Sequence, residues 1–410
     1  MPKSLKLSLL ALSVALILCT FLGVNARSVS AAVGGDPQDG AYRQINVFSE
    51  VLQHIQTDYV EDPNMPAVTA GALRGLLESL DADSSYLSPA DYKAYKTDRG
   101  GKAQIGIDVS KRYGYAVVVS VIPNSPADKA GLNDGDIIQA IGTQDTRDLS
   151  LAMIQKLLEG APGSDLTLAV VRPRKAAPDK ITVTRAPVAE PPVTDAVMEG
   201  GTILDLRPAV LDREHVDGIE ARLKSAAKGA DKKVVLDLRD VSSGQMEQGV
   251  RLANFFLKSG TIATLQGQKV AKQTFAAEPG KSIDPTAPLV ILVNRGTAGP
   301  GELVAAAIED NKRGEVVGEK TFGEGAQQKT FELPDGGAII LSIAKYGSPS
   351  GKAYEDEGVA PTVTVASSED EQDTADDDAA AAAKKPSRHS EVQTDDQLNK
   401  ALEILKGKAA

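Results

Sequence analysis

Between Leu289 and Gln328 the chain carries residues whose order could support chemistry. The apolar run Leu289 to Val293 is short enough for a buried strand. The turn Asn294-Arg295-Gly296-Thr297-Ala298-Gly299-Pro300-Gly301 follows. Glu302 to Asp310 then reads as a helix, with Leu303, Ala306 and Ile308 available for burial. A second strand, Gly314 to Val317, leads into the tight loop Thr321 to Gln328. A strand, a tight turn and a helix in that order aim backbone N–H groups and one side chain into a cleft. That geometry holds a nucleophile over an oxyanion site. The groups on offer are the hydroxyls of Thr297, Ser242 and Ser243, the amines of Lys320 and Lys329, and the carboxylates of Glu302 and Glu324. The plainer reading of the hydroxyls and lysines is turn capping and solvated surface charge.

The stretch resembles the C-terminal-processing (tail-specific) serine peptidases, secreted PDZ-containing enzymes with a Ser–Lys dyad. The matching framework is Asn294, Gly296, Glu302, Gly318, Thr321, Phe322, Gly323, Gly325 and Gln328. The resemblance places the family's nucleophilic serine at Gly299 and its general-base lysine at Glu324. It places one oxyanion donor at Pro300, which has no N–H, and another, usually a glycine, at Ser243. Of the catalytic set only the glutamine that assists the lysine remains, as Gln328. Gly299 has no hydroxyl, and a carboxylate of ordinary pKa about 4 at Glu324 has no hydroxyl partner at the matched site. Loss of one oxyanion donor alone costs about 10²–10³ in rate. The Cβ of Ser243 is expected to disturb a backbone geometry that glycine permits. Ser–Lys hydrolysis is therefore not expected. The alternative is an active serine-type endopeptidase with rearranged residues, Thr297 or Ser243 as nucleophile. A glycosidase pair of Glu302 and Glu324 is the weaker reading, because Glu302 matches the family's helix-start glutamate, where it caps.

The elements that must position these groups follow the same resemblance. Tyr42 to about Tyr95 is helical in pattern, with Ile45, Phe48, Leu52 and Ile55 at helix spacing. Asp81 and Asp83 read as helix termination and turn capping rather than metal ligands. Gly100 to about Arg185 resembles a PDZ domain. Gln104-Ile105-Gly106-Ile107 matches the loop whose N–H groups receive a peptide's terminal carboxylate, and the strand after it offers an edge for strand addition. Ser150 to Leu158 supplies the groove helix, and Leu151 and Ile154 are its peptide-facing candidates. Past the proline-rich hinge Pro187 to Pro192, alternating strands and helices predict a mainly parallel sheet.

The expected fold class is thus α/β. A signal peptide (1–32) precedes an N-terminal helical region (42–99), a β-rich PDZ domain with two helices (100–186) and a mainly parallel peptidase-like core (187–366). An acidic, alanine-rich disordered linker (367–390) and a C-terminal helix (391–410) for packing or dimerisation complete the chain.

Composition bounds the function. A length of 410 residues and a net charge of −11 suit several domains and disfavour a nucleic-acid binder. Lys3, Lys6 and the apolar run Leu9 to Val24 read as a secretory signal, cleaved after Ala26, Ala31 or Ala32, or retained as a membrane anchor. The chain is therefore expected across the inner membrane, in the periplasm or envelope. The single cysteine, Cys19, lies inside that run, so the mature chain has no thiol nucleophile. The three histidines, His54, His215 and His389, show no Ser–His–Asp pattern, and no Cys/His cluster suggests zinc. No cofactor or metal is expected. The expected partners are C-terminal tails of proteins, a second copy, or an active paralogue.

Overall fold

The computed structural model describes residues 37–97, 103–172, 177–227, 233–284, 286–367 and 395–407. The signal peptide, nearly all of the acidic linker and the last three residues lie outside them. The chain divides into two compact units, up to Thr69 and from Ala70 onward. The first holds α1 (Pro37–Asp58) and the opening turn of α2 (Met65–Glu78).

In the second unit, Asp81 caps the turn after α2, its Oδ1 accepting the N–H groups of Asp83 (3.1 Å) and Ser84 (2.6 Å). Strand β1 (Ser85–Leu87) follows. Ser88 then caps α3 (Pro89–Lys96), accepting the Asp91 N–H at 3.2 Å with proline at the first helical position.

The next layer is the β-rich domain. Its elements are β2 (Ala103–Gln104), β3 (Ile107–Arg112), β4 (Tyr115–Val121), α4 (Pro126–Lys129), β5 (Ile137–Ile141), β6 (Gln144–Asp145), α5 (Leu151–Leu158), β7 (Asp165–Val171), β8 (Asp179–Thr184) and β9 (Ala186–Pro187). The sheet order is β3-β4-β5-β7-β8, with β6 beside β5 and a separate β2–β9 pair. Strand β3 is therefore an edge. Leu151, Ile154 and Leu158 share one face of α5 and pack on Ile105, Val118, Ile138 and Leu168.

The larger domain runs β10 (Thr194–Met198), β11 (Ile203–Arg207), α6 (Arg213–Ala226), β12 (Lys233–Asp237), α7 (Met246–Phe256), β13 (Thr261–Gln266), β14 (Gln273–Ala276), β15 (Leu289–Val293), α8 (Pro300–Asp310), β16 (Glu315–Gly318), β17 (Ala326–Glu332), β18 (Ala338–Gly347), β19 (Val363–Thr364) and α9 (Asp396–Gly407). The main sheet has the order β10-β11-β12-β15-β16-β19, parallel from β11 to β19. Both faces are covered, which is why β12 and β15 read as unbroken apolar runs. Val234, Leu236, Leu289, Ile291 and Val293 point into the core shared with α6, α7 and α8. The alternating residues Val235, Val290 and Leu292 meet Ala401 and Leu405 of α9. Arg239 fastens that helix, bonding Asp395 at 2.9 and 2.8 Å and Asp237 at 2.9 and 2.6 Å. Of the two roles expected for the C-terminal helix, packing is the one its contacts display. A second sheet, β1-β18-β13-β14 with β17 on β18, adjoins this core.

Candidate functional site

The parallel strands β12 and β15 end side by side and deliver two loops to the same place, 238–245 and 294–300. Asn294 joins them. Its Oδ1 accepts the N–H of Asp240 at 2.9 Å, and its Nδ2 donates to Asp240 Oδ1 at 2.8 Å. Gly299 then stands at the strand-to-helix elbow with φ 53° and ψ −116°. A side chain is strained there, and glycine is not. A Cβ built on Gly299 would meet only Ser242 O at 3.5 Å, ordinary contact. The elbow of a nucleophile is thus preserved without the nucleophile.

Glu302, wholly buried, ties this elbow to the loop 321–324. Its Oε2 accepts the N–H groups of Gly299 (3.0 Å) and Glu324 (2.8 Å). Its Oε1 accepts the Gly323 N–H (2.8 Å) and the Thr321 hydroxyl. The helix-cap reading was therefore half of its role; the other half lay across the fold. Burial pushes the Glu302 carboxyl up to about 7 against these bonds.

Because the backbones of Gly299 and Glu324 share one carboxylate oxygen, the positions of the serine and the lysine meet as the resemblance requires. The chemistry differs. Burial, then the carboxylates of Asp108, Asp83, Glu302 and Glu355, push Glu324 far above the usual carboxylate range. That favours the protonated form, the opposite of a general base. Burial likewise pushes Asp83 to about 6 and Glu355 to about 7. Spacing along the chain carries no sign of this cluster, since Asp83, Asp108, Glu302, Glu324 and Glu355 stand far apart in it. Among the described residues no group of acidic or histidine side chains is placed to hold a metal.

The other oxyanion positions separate. Pro300 is the first residue of α8 and contributes no N–H. Ser243 does not occupy the left-handed region. The residue that must lack a Cβ is its neighbour Gly244, at φ 130°, where one would lie 2.3 Å from Leu211 O. Gln328 donates to Asp83 O at 2.7 Å, on the exposed strand β17.

No candidate hydroxyl is paired with an amine. Thr297 is fully buried and donates to Leu238 O at 2.8 Å while accepting the Asn294 N–H at 3.0 Å. Ser242 donates to Asp108 Oδ2 at 2.8 Å and lies 2.6 Å from Ser120 Oγ. Lys320 is exposed, and Lys329 lies over the Phe331 ring, 5.2 Å from its centroid.

Asp108 and Ser120 belong to β3 and β4, so the β-rich domain sits directly on the cleft loop. Arg112, at the end of β3, extends this contact. It stacks 4.4 Å from the Phe322 ring centroid and donates to Asp356 at 3.3 Å.

The loop Gln104 to Ile107, expected to receive a carboxylate, is held by backbone bonds. Gly106 O accepts the Ile122 N–H at 2.9 Å, which makes Ile107 and Val121 a non-bonded pair. The N–H and C=O of Ile107 therefore face away from β4, toward the free edge. Ile105 O accepts the Ala127 N–H at 2.8 Å, and Gln104 pairs with Ala186. Leu151 and Ile154, expected to face a peptide, are buried in the domain's own core. Lys111, also buried, bridges Glu78 (2.7 Å) and Leu149 O (2.8 Å) between β3 and the start of α5.

Comparison with known proteins agrees with this architecture. Residues 212–365 match the model for peptidase family S41, and residues 117–172 match a PDZ domain. The chain is 32% identical over 300 residues to the carboxyl-terminal-processing protease of Picosynechococcus sp., covering 72% of each. It is 28% identical over 351 residues to the carboxy-terminal-processing protease of Bartonella bacilliformis, covering 84% of this chain and 80% of that one. The photosystem II D1 C-terminal processing protease superposes with a TM-score of 0.66 at 26% identity, over 78% of this chain and 86% of that structure. The joined loops, the retained elbow and these likenesses lead to one assignment: the chain belongs to peptidase family S41, among the PDZ-containing carboxyl-terminal-processing proteases.

Proposed function

We propose that this family member works as a secreted, periplasmic or envelope receptor for protein C-termini and does not cleave them by a Ser–Lys dyad. The observation that carries this reading is Gly299 at the nucleophile's elbow facing a carboxylic acid, Glu324, where the family's base stands. An alkoxide needs an oxygen to form on and an amine to take its proton, and positions 299 and 324 present neither. The recognising part is the loop Gln104 to Ile107. Support comes from the outward N–H of Ile107 and the edge position of β3, which suit a terminal carboxylate followed by an added strand. Lys3, Lys6 and the apolar run Leu9 to Val24 support secretion. A second copy would serve as a dimer partner, and an active paralogue would be a natural companion, supplying bond cleavage to tails held here.

Binding of fluorescent peptides tests the reading. Peptides with free apolar C-termini should bind, and the same peptides amidated should bind at least about tenfold more weakly, because an amide cannot take up the anion's place. Equal affinity for both forms, or hydrolysis of an unfolded apolar-tailed substrate that disappears with Ser243→Ala or Thr297→Ala, would overturn it.

A further inference from the structure

We infer that Asp108 is a built-in competitor for the edge on which tails dock: its carboxyl group occupies the second docking position, and an incoming tail has to displace it. The inference rests on the receptor reading above and names what a tail must outcompete.

The register of β3 on β4 defines the edge. Ile107 and Asp108 lie opposite Val121 and Ser120, and after an irregularity Val109 lies opposite Val118. Val118 spends both backbone groups on its other neighbour, donating to Asp136 O at 2.9 Å and accepting the Gly135 N–H at 2.8 Å. It has nothing left for β3. Successive residues of a strand turn their N–H and C=O groups to opposite sides. Val109, two residues after Ile107, therefore turns its groups the same way, toward the free side of β3. The side chains of Ile107 and Val109 pack on the domain core, while Asp108 between them points to the other face and reaches the cleft loop. Where a terminal carboxylate sits at Ile107, Val109 meets the residue two back from the tail's end.

That second donor is already engaged. The Val109 N–H donates to Asp108 Oδ1 at 3.0 Å. An oxygen at that distance along an N–H stands where the carbonyl of an added strand must stand. Asp108 Oδ2 accepts the Ser242 hydroxyl at 2.8 Å, and Ser242 Oγ lies 2.6 Å from Ser120 Oγ. The cleft loop thus holds the carboxyl group over the edge, and both of its oxygens are in use. A tail reaches Val109 only when Asp108 turns away, which also disturbs the bond to Ser242. An uncovered edge invites pairing with any extended chain. An edge covered by its own side chain admits a chain whose other contacts outweigh the cover, and a terminal carboxylate in the loop supplies such a contact where an internal segment has none.

The fluorescent peptides described above, with free or amidated ends, test this competition. Asp108→Ala should bind a free apolar tail about tenfold more tightly than the wild type. Asp108→Asn keeps an oxygen at the covering position and should stay within about twofold of the wild type. Loss of negative charge alone would tighten both variants equally. Ser242→Ala, which releases the carboxyl group to turn, should gain about threefold. Amide exchange at Val109 should quicken in unliganded Asp108→Ala, remain slow in Asp108→Asn, and slow again in Asp108→Ala when the tail is added. No gain in Asp108→Ala, an equal gain in Asp108→Asn, or Val109 exchange indifferent to the alanine overturns the competition, even where free tails still bind better than amidated ones. Failure of the wild type and every variant to bind tails overturns the receptor reading and the competition with it. If Asp108→Ala does not fold, the gain or its absence in Ser242→Ala decides.

Discussion

The cleft and the PDZ edge lie against each other, yet they retain different things. In the cleft the framework persists: Asn294 joins two loops, Glu302 holds the elbow, and Gly299 keeps a conformation made for a nucleophile. The side chains that would react are gone. At the PDZ edge the groups proposed to receive a peptide are backbone N–H groups, and β3 places that of Ile107 on its free side. Recognition by main chain survives any change that leaves the fold intact. Catalysis by side chain does not, because the frame bonds to the backbone N–H groups of Gly299 and Glu324 whatever side chains stand there.

The sharpest way to break this contrast is to rebuild the dyad. Gly299→Ser with Glu324→Lys and Pro300→Ala should raise hydrolysis of an apolar-tailed protein from background by at least about 10²-fold, while Gly299→Ser alone stays at background. Continued inactivity of a folded triple variant would mean the cleft has lost more than its side chains. Next in size is Glu302→Ala. It leaves the Gly299, Gly323 and Glu324 N–H groups and the Thr321 hydroxyl without their shared acceptor. At about 1–3 kcal/mol for each orphaned buried group, urea unfolding should register a loss on the order of 4 kcal/mol or more. Ile107→Pro probes the other region. It removes an N–H that β4 does not use, so peptide affinity should drop about tenfold or more, whereas Ile107→Val, which keeps the N–H and most of the packing on the domain core, should bind nearly as the wild type does.

The smallest effect is a pH dependence. Asp83, Glu302 and Glu355 have folded values raised to about 6, 7 and 7. A raised carboxylate binds protons more tightly in the folded state, so its contribution is complete below the unfolded value of about 4 and is lost as pH rises through the folded value. Denaturation midpoints should therefore decline between about pH 4.5 and 7.5. Glu324→Gln should flatten the decline by removing a carboxyl that burial and its acidic neighbours raise far above the usual range. An unchanged slope in that variant would show that Glu324 takes no part.

Much of this molecule was legible beforehand. The apolar runs at Val234 and Leu289 and the glycine-rich turn at 294–301 are local patterns, and strands, elbow and helix formed where they predict. Leu151, Ile154 and Leu158 did share a face, but periodicity says only that a face is apolar, and this one packs inward on its own domain. Ser243 and Gly244 show the same limit one residue apart, because the need for a missing Cβ depends on where Leu211 arrives.

By itself the sequence determined the family frame and the loss of the reacting groups, because identity at a matched position is a property of one residue. The tertiary structure alone decided what the replacements meet. Asp83, Asp108, Glu302 and Glu355 come together around Glu324 only on folding. Their shared burial, and not the composition of any segment, makes that site an acid rather than a base.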